Sequence, residues 1–185
     1  MRSIAFLYAS EGTGHKAAAE NLREWHLGRS RENTAICMDV LEVLPSLLRG
    51  TVSMGYLLVA RHAPSIWGRF YWGSDKESLQ ASLFDRIHSV LCKIYLPGIE
   101  EIVSSSGAEA VVFTHYFGAS VFAARNRLKI PVYYVNTDFI THRFQRSDLF
   151  SASFVASDAA IEQYRTDGIH NVFNTGIPVS RKYCS

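Results

Sequence analysis

Ser3-Ile4-Ala5-Phe6-Leu7-Tyr8-Ala9 is an unbroken apolar run, and it leads directly into Ser10-Glu11-Gly12-Thr13-Gly14-His15-Lys16-Ala17. A continuous apolar run of strand length reads as a strand buried on both faces, which is the signature of a parallel sheet covered by helices. The glycines allow the tight turn that follows. Gly14–Leu27 then reads as a helix, with Ala17, Ala18, Leu22 and Trp25 at helical spacing.

Outward from this unit the pattern repeats. Thr34–Asp39, Ala110–Thr114, Val132–Thr137, Ser153–Ala156 and Val172–Asn174 read as further strands. Ser78–Tyr95, then Gly98–Ser105 after a break at Pro97, Gly118–Leu128 and Asp158–Thr166 read as helices between them. The repeated β-α order predicts an α/β fold, a Rossmann-like doubly wound parallel sheet. There is no internal repeat or low-complexity tract.

Bulk properties narrow the function. The 185 residues suit one domain, and 48% hydrophobic with 19% charged residues excludes a disordered or fibrous chain. A formal net charge of +2 gives no bulk attraction to nucleic acid, so no nucleic-acid partner is expected. Cys37, Cys92 and Cys184 form no CxxC pair and no even disulfide set, which points to a reducing compartment. The N-terminal MRSIAFLYAS lacks a signal-peptide pattern, and no stretch reaches the ~20 apolar residues of a membrane span.

Chemistry-bearing residues gather at strand C-terminal ends, where doubly wound sheets bind ligands. Gly12, Thr13 and Gly14 open a helix whose free N–H groups and positive dipole end suit a phosphate or other oxyanion. His15, on the same turn, is a candidate to accept a proton near neutral pH. Thr114-His115-Tyr116-Phe117 follows the third strand of this reading and Asp138-Phe139-Ile140-Thr141-His142 the fourth, so His15, His115, Asp138 and His142 are expected to converge on one cleft. No HExxH or Cys/His spacing supports a metal, and none is expected. His26, His62, His88 and His170 read as ordinary helix or loop residues. Gly12, Gly14 and Ala17 also fit the G-x-G-x-x-A dinucleotide pattern, with Asp39 near a ribose-binding position, so a nicotinamide-dinucleotide-binding domain stays open as an alternative.

Leu44–Gly73 departs from the regular pattern. No acidic residue occurs between Glu42 and Asp75, while Arg49, Arg61, Arg69 and the aromatic Trp67, Phe70, Tyr71 and Trp72 do. A core helix pair with snorkelling arginines accounts for most of these side chains. The sharper reading is an interfacial segment, with apolar groups in lipid and arginines against an anionic membrane surface. In that reading Arg49, Arg61, Trp67, Arg69, Phe70 and Trp72 touch the membrane.

Five segments in order resemble the family of monogalactosyldiacylglycerol synthases and processive diacylglycerol glucosyltransferases, which are glycosyltransferases of two Rossmann domains (GT-B). They are Ser10–Ala19, Met38-Asp39-Val40, Phe70–Lys76, Thr137–His142 and Gly176-Ile177-Pro178-Val179. The resemblance implies that residues 1–178 form an N-terminal domain that holds the acceptor and meets the membrane. Residues 179–185 would begin the interdomain linker, with the UDP-sugar domain absent from this chain. It further implies transfer of a hexose from a UDP-sugar to diacylglycerol with inversion, and no cofactor. His15 would be the base, Asp138 would act beside it, and Gly12, Thr13, Gly14, His115, Tyr116 and His142 would shape the substrate site. The chain alone would be catalytically silent and peripheral on the cytoplasmic face of the membrane. A non-enzymatic lipid-binding module is the other alternative. One departure stands out: three residues after His142 the family usually carries an aromatic, and here that residue is Gln145.

Overall fold

The computed structural model describes residues 2–10, 13–45 and 94–184. The expected helix over 78–95, apart from its last two residues, and all six residues assigned to the membrane lie outside the described residues, as does Gly12.

Six strands form one sheet: β1 Ser3–Tyr8, β2 Thr34–Asp39, β3 Ala110–Phe113, β4 Val132–Val135, β5 Ala152–Val155 and β6 Val172–Asn174. Their order is β2-β1-β3-β4-β5-β6 and every pair is parallel. This is the expected Rossmann-like doubly wound α/β fold. Helices are α1 Thr13–Arg29, α2 over 94–105, α3 Ala119–Arg125 and α4 Asp158–Thr166.

The sheet explains why the first strand is apolar throughout. Ala5, Leu7 and Ala9 pack into a large core with Val111, Phe113, Val132 and Tyr134, and with Tyr95, Ile99 and Val103 of α2 and Phe122 of α3. Ile4, Phe6 and Tyr8 alternate to the other face, where Ala19 and Leu22 of α1 meet Val112 and Val135. Both faces are covered, so neither set of alternating positions can be polar. A third cluster (Val155, Ala160, Tyr164, Ile169 and Val172) seats α4 on β5 and β6.

Two helix boundaries differ from the expected ones. Residues 94–105 run helical through Pro97, with no break. The one bond Pro97 forgoes would reach back to residue 93, and later residues still pair with carbonyls from 94 onward. The helix expected over Gly118–Leu128 spans only Ala119–Arg125. Asn126 ends it at φ 24°, and its side chain bonds both the carbonyl and the N–H of Ile130, drawing the chain toward β4.

The described C-terminal residues return along α1. Asn21 Nδ2 donates to the Pro178 carbonyl (3.0 Å), Trp25 Nε1 to that of Val179 (2.9 Å), and the Arg181 guanidinium lies over the Trp25 ring. That guanidinium crosses Gly28, where a Cβ would collide with it. Cys184 is exposed, whereas burial pushes the Cys37 thiol up to about 11. Among the described residues no helix is long and apolar enough to cross a membrane.

Candidate functional site

In this strand order the chain runs from β1 outward to β2, then returns to β3 on the other side of β1. The crevice beyond the carboxyl ends of β1 and β3 is therefore the topological switch point, where such sheets bind ligands. His15, in the first turn of α1, stands at this crevice and is half-buried.

Two strand ends converge on its ring. Past β3, Thr114 exchanges two hydrogen bonds with His15: the His15 Nδ1 lies 2.7 Å from the Thr114 carbonyl oxygen, and Thr114 Oγ1 donates to the His15 carbonyl at 2.9 Å. Thr114 is itself fixed to β1 by its N–H on the Leu7 carbonyl (2.9 Å). Past β4, Thr137 Oγ1 lies 2.9 Å from the same Nδ1. The His15 imidazole is thus clasped on one side by β3 and β4 while it rides on the helix that follows β1.

Rings continue outward from it. His115 meets His15 edge to face at 4.6 Å between centroids, and Tyr116 stacks on His115 at 4.5 Å. Phe144 follows at 6.0 Å, with the Arg143 guanidinium over it at 4.8 Å. His115 is buried and its Nδ1 accepts from the Phe117 N–H (3.1 Å).

The loop after β4 is a polar knot. Buried Gln145 donates through Nε2 to Asp138 Oδ2 (2.7 Å), while its Oε1 accepts from Asn136 Nδ2 (3.2 Å) and the His142 N–H (2.8 Å). Asn136 Oδ1 in turn accepts from the Asp138 N–H at 2.8 Å. The Tyr164 hydroxyl of α4 donates to the Gln145 carbonyl (2.7 Å), and Gln163 caps Thr141 N–H at 2.7 Å. Burial holds the Tyr164 phenol up at about 12. Beyond this knot Phe139 and Ile140 project into solvent.

Of the residues singled out from sequence, the structure brings His15, His115 and Tyr116 into one contacting row, and joins Asp138 and His142 through Gln145. Thr13 and Gly14 sit exposed at the start of α1. A Cβ on Gly14 would meet nothing within 4 Å, so packing does not require glycine there and the backbone is open to approach. Asp39 is spent locally: it is buried and its Oδ1 accepts the Leu41 N–H (2.9 Å), capping the 3-10 turn Val40–Val43. A carboxylate so engaged is a poor ribose ligand. Among the described residues no group of His, Cys, Asp and Glu is arranged to hold a metal ion.

Sequence reading missed the clasp partners. The Thr114 contribution comes largely from its backbone carbonyl, which has no residue signature. Thr137 sits between Asn136 and Asp138, and an Asn two residues before an Asp is a turn signal that would have placed this hydroxyl at the strand end.

No curated protein matches the chain. The family model for monogalactosyldiacylglycerol (MGDG) synthase matches residues 15–179, which takes in the whole clasp and the knot.

Proposed function

This chain belongs to the monogalactosyldiacylglycerol synthase family, a family of glycolipid glycosyltransferases, and on that premise we propose that it forms the acceptor-binding domain of an enzyme transferring a hexose from a UDP-sugar to diacylglycerol. The observation that carries the reading is His15, held by Thr114 and Thr137 at the switch point of the sheet. A hydroxyl is a poor nucleophile until its proton is removed, and a positioned imidazole is the common means of removing it.

The reaction is a single displacement. The diacylglycerol hydroxyl gives its proton to His15 as its oxygen bonds to the anomeric carbon of the sugar. The bond from that carbon to the diphosphate breaks, UDP leaves with the electron pair, and the configuration inverts. Asp138, oriented by Gln145, and His142 line the acceptor side. His115 and Tyr116 continue the wall of the site away from His15. The open backbone at Gly14 gives the α1 N-terminus room to approach the diphosphate as negative charge collects there. A second domain, which the family resemblance implies, holds the UDP-sugar, and the chain works as a peripheral protein on the cytoplasmic face of the membrane.

Co-sedimentation of the purified chain with anionic vesicles, with and without diacylglycerol, tests the acceptor role. Binding that rises with diacylglycerol content is expected. Vesicle binding indifferent to diacylglycerol, in a chain with an intact circular dichroism spectrum, would refute it. A UDP-hexose transferase rate from the chain alone would overturn the division of labour between two domains.

A further inference from the structure

The two histidines at the crevice meet partners of opposite hydrogen-bonding character. The Thr114 carbonyl, 2.7 Å from His15 Nδ1, can only accept, so that nitrogen carries a hydrogen. The alternative would set two lone pairs against each other at this distance. Thr114 cannot retreat, because its N–H is bonded into β1. Thr137 Oγ1, at 2.9 Å, shares the same hydrogen as a second acceptor. At His115 the situation reverses. Its Nδ1 faces the Phe117 N–H at 3.1 Å, a group that can only donate, so this nitrogen is bare and the hydrogen lies on Nε2.

We infer that His15 and His115 are locked in opposite tautomers, His15 by the Thr114 carbonyl, and that His15 Nε2 is the nitrogen that takes the acceptor proton. Among the described residues no hydrogen bond reaches His15 Nε2, which lies across the ring from the clasp. His115, although it touches the His15 ring, carries its hydrogen on Nε2 and so cannot take a proton there. The identity of the proton donor rests on the function proposed above; the tautomers do not.

The test is a ¹⁵N imidazole spectrum of the 185-residue chain at about pH 8.5, above the ordinary histidine range. His15→Gln and His115→Gln assign the two rings. The expected result is a pyrrole-type Nδ1 and pyridine-type Nε2 at His15, and the reverse at His115. Thr137→Val leaves the acceptor-only Thr114 carbonyl in place, so the Nδ1–H assignment of His15 is expected to survive it. The His115 signals, unchanged in that variant, report an intact fold. A bare Nδ1 at His15, or the same tautomer in both rings, would overturn the inference. A His15 that changes tautomer in Thr137→Val would overturn the assignment of the lock to the Thr114 carbonyl. Because the spectrum needs no substrate, absence of diacylglycerol-dependent binding alongside the expected tautomers would remove the proposed reaction and leave the ring assignment standing.

Discussion

The loops after β3 and β4 close the same crevice with opposite materials. Residues 115–117 pack chiefly through ring contacts: His115 on His15, Tyr116 on His115, and Phe117 stacked on Tyr95 at 4.9 Å. Residues 136–145 hold theirs by hydrogen bonds that converge on one buried amide, Gln145. Ring contacts are graded, each worth about 0.5–1.5 kcal/mol beyond area burial, and a neighbour can settle into a lost ring's space. A polar knot is not graded in this way, since each group that loses its partner stays buried and costs about 1–3 kcal/mol. The first loop should tolerate substitution, and the second should fail as a unit.

The largest expected effect follows at Gln145. Gln145→Leu, close in size but without the amide, strands Asn136 Nδ2 and the His142 N–H and releases Asp138. A loss of about 3–5 kcal/mol in urea-unfolding stability is expected. A loss under about 1 kcal/mol would mean that the loop is held by something other than its amide, and the contrast between the loops would fall.

Next is the anchor beneath the knot. Burial pushes the Tyr164 phenol to about 12, with the nearby Ser153 and Arg146 pulling the other way only in part. The folded state therefore keeps this proton where the unfolded chain, titrating near 10, gives it up. The stabilisation is fully present below about pH 10 and is lost as pH rises through about 12, by about 2–3 kcal/mol. Stability curves from pH 8 to 12 for wild type and Tyr164→Phe should differ in this window, the variant lacking that part of the alkaline decline. Parallel curves would show that the phenol is not shielded and that the knot is wetter than its hydrogen bonds suggest.

The difference between the loops also explains what could be read from the sequence. The four inner strands were legible because an apolar run covered on both faces leaves no other choice, and the less buried edge strands β2 and β6 also fall where expected. Of the four residues expected to converge on one cleft (His15, His115, Asp138 and His142), the contact of His15 with His115 was legible because strand ends in such a sheet share one edge and side chains carry it. The knot was not legible as a structure. Gln145 stood out in sequence only as a departure from the family's aromatic, and nothing in its own identity says that its amide will bind a carboxylate, an amide and a backbone N–H at once. The clasp on His15 was hidden for a similar reason, since its shortest bond goes to a backbone carbonyl. The early end of α3 at Asn126 was missed because a side chain competed with the helix for backbone groups four residues ahead.

The smallest effect belongs to the loop of rings. Tyr116→Leu removes a stack of 4.5 Å on His115 and one of 6.0 Å on Phe144, but leaves an apolar side chain at a half-buried position. A stability loss of about 1 kcal/mol is expected, several-fold below that of Gln145→Leu. The consequence for the site should be equally slight, because His115 is held independently by its bond from the Phe117 N–H, and His15 by Thr114 and Thr137. Diacylglycerol-dependent vesicle binding by Tyr116→Leu should therefore persist near the wild-type level, whereas it should be lost in Gln145→Leu even at temperatures where that variant remains folded. If Tyr116→Leu were the more damaging of the two, the row of rings would be the element that orders the crevice, and the knot would only be tethering α4 to the sheet.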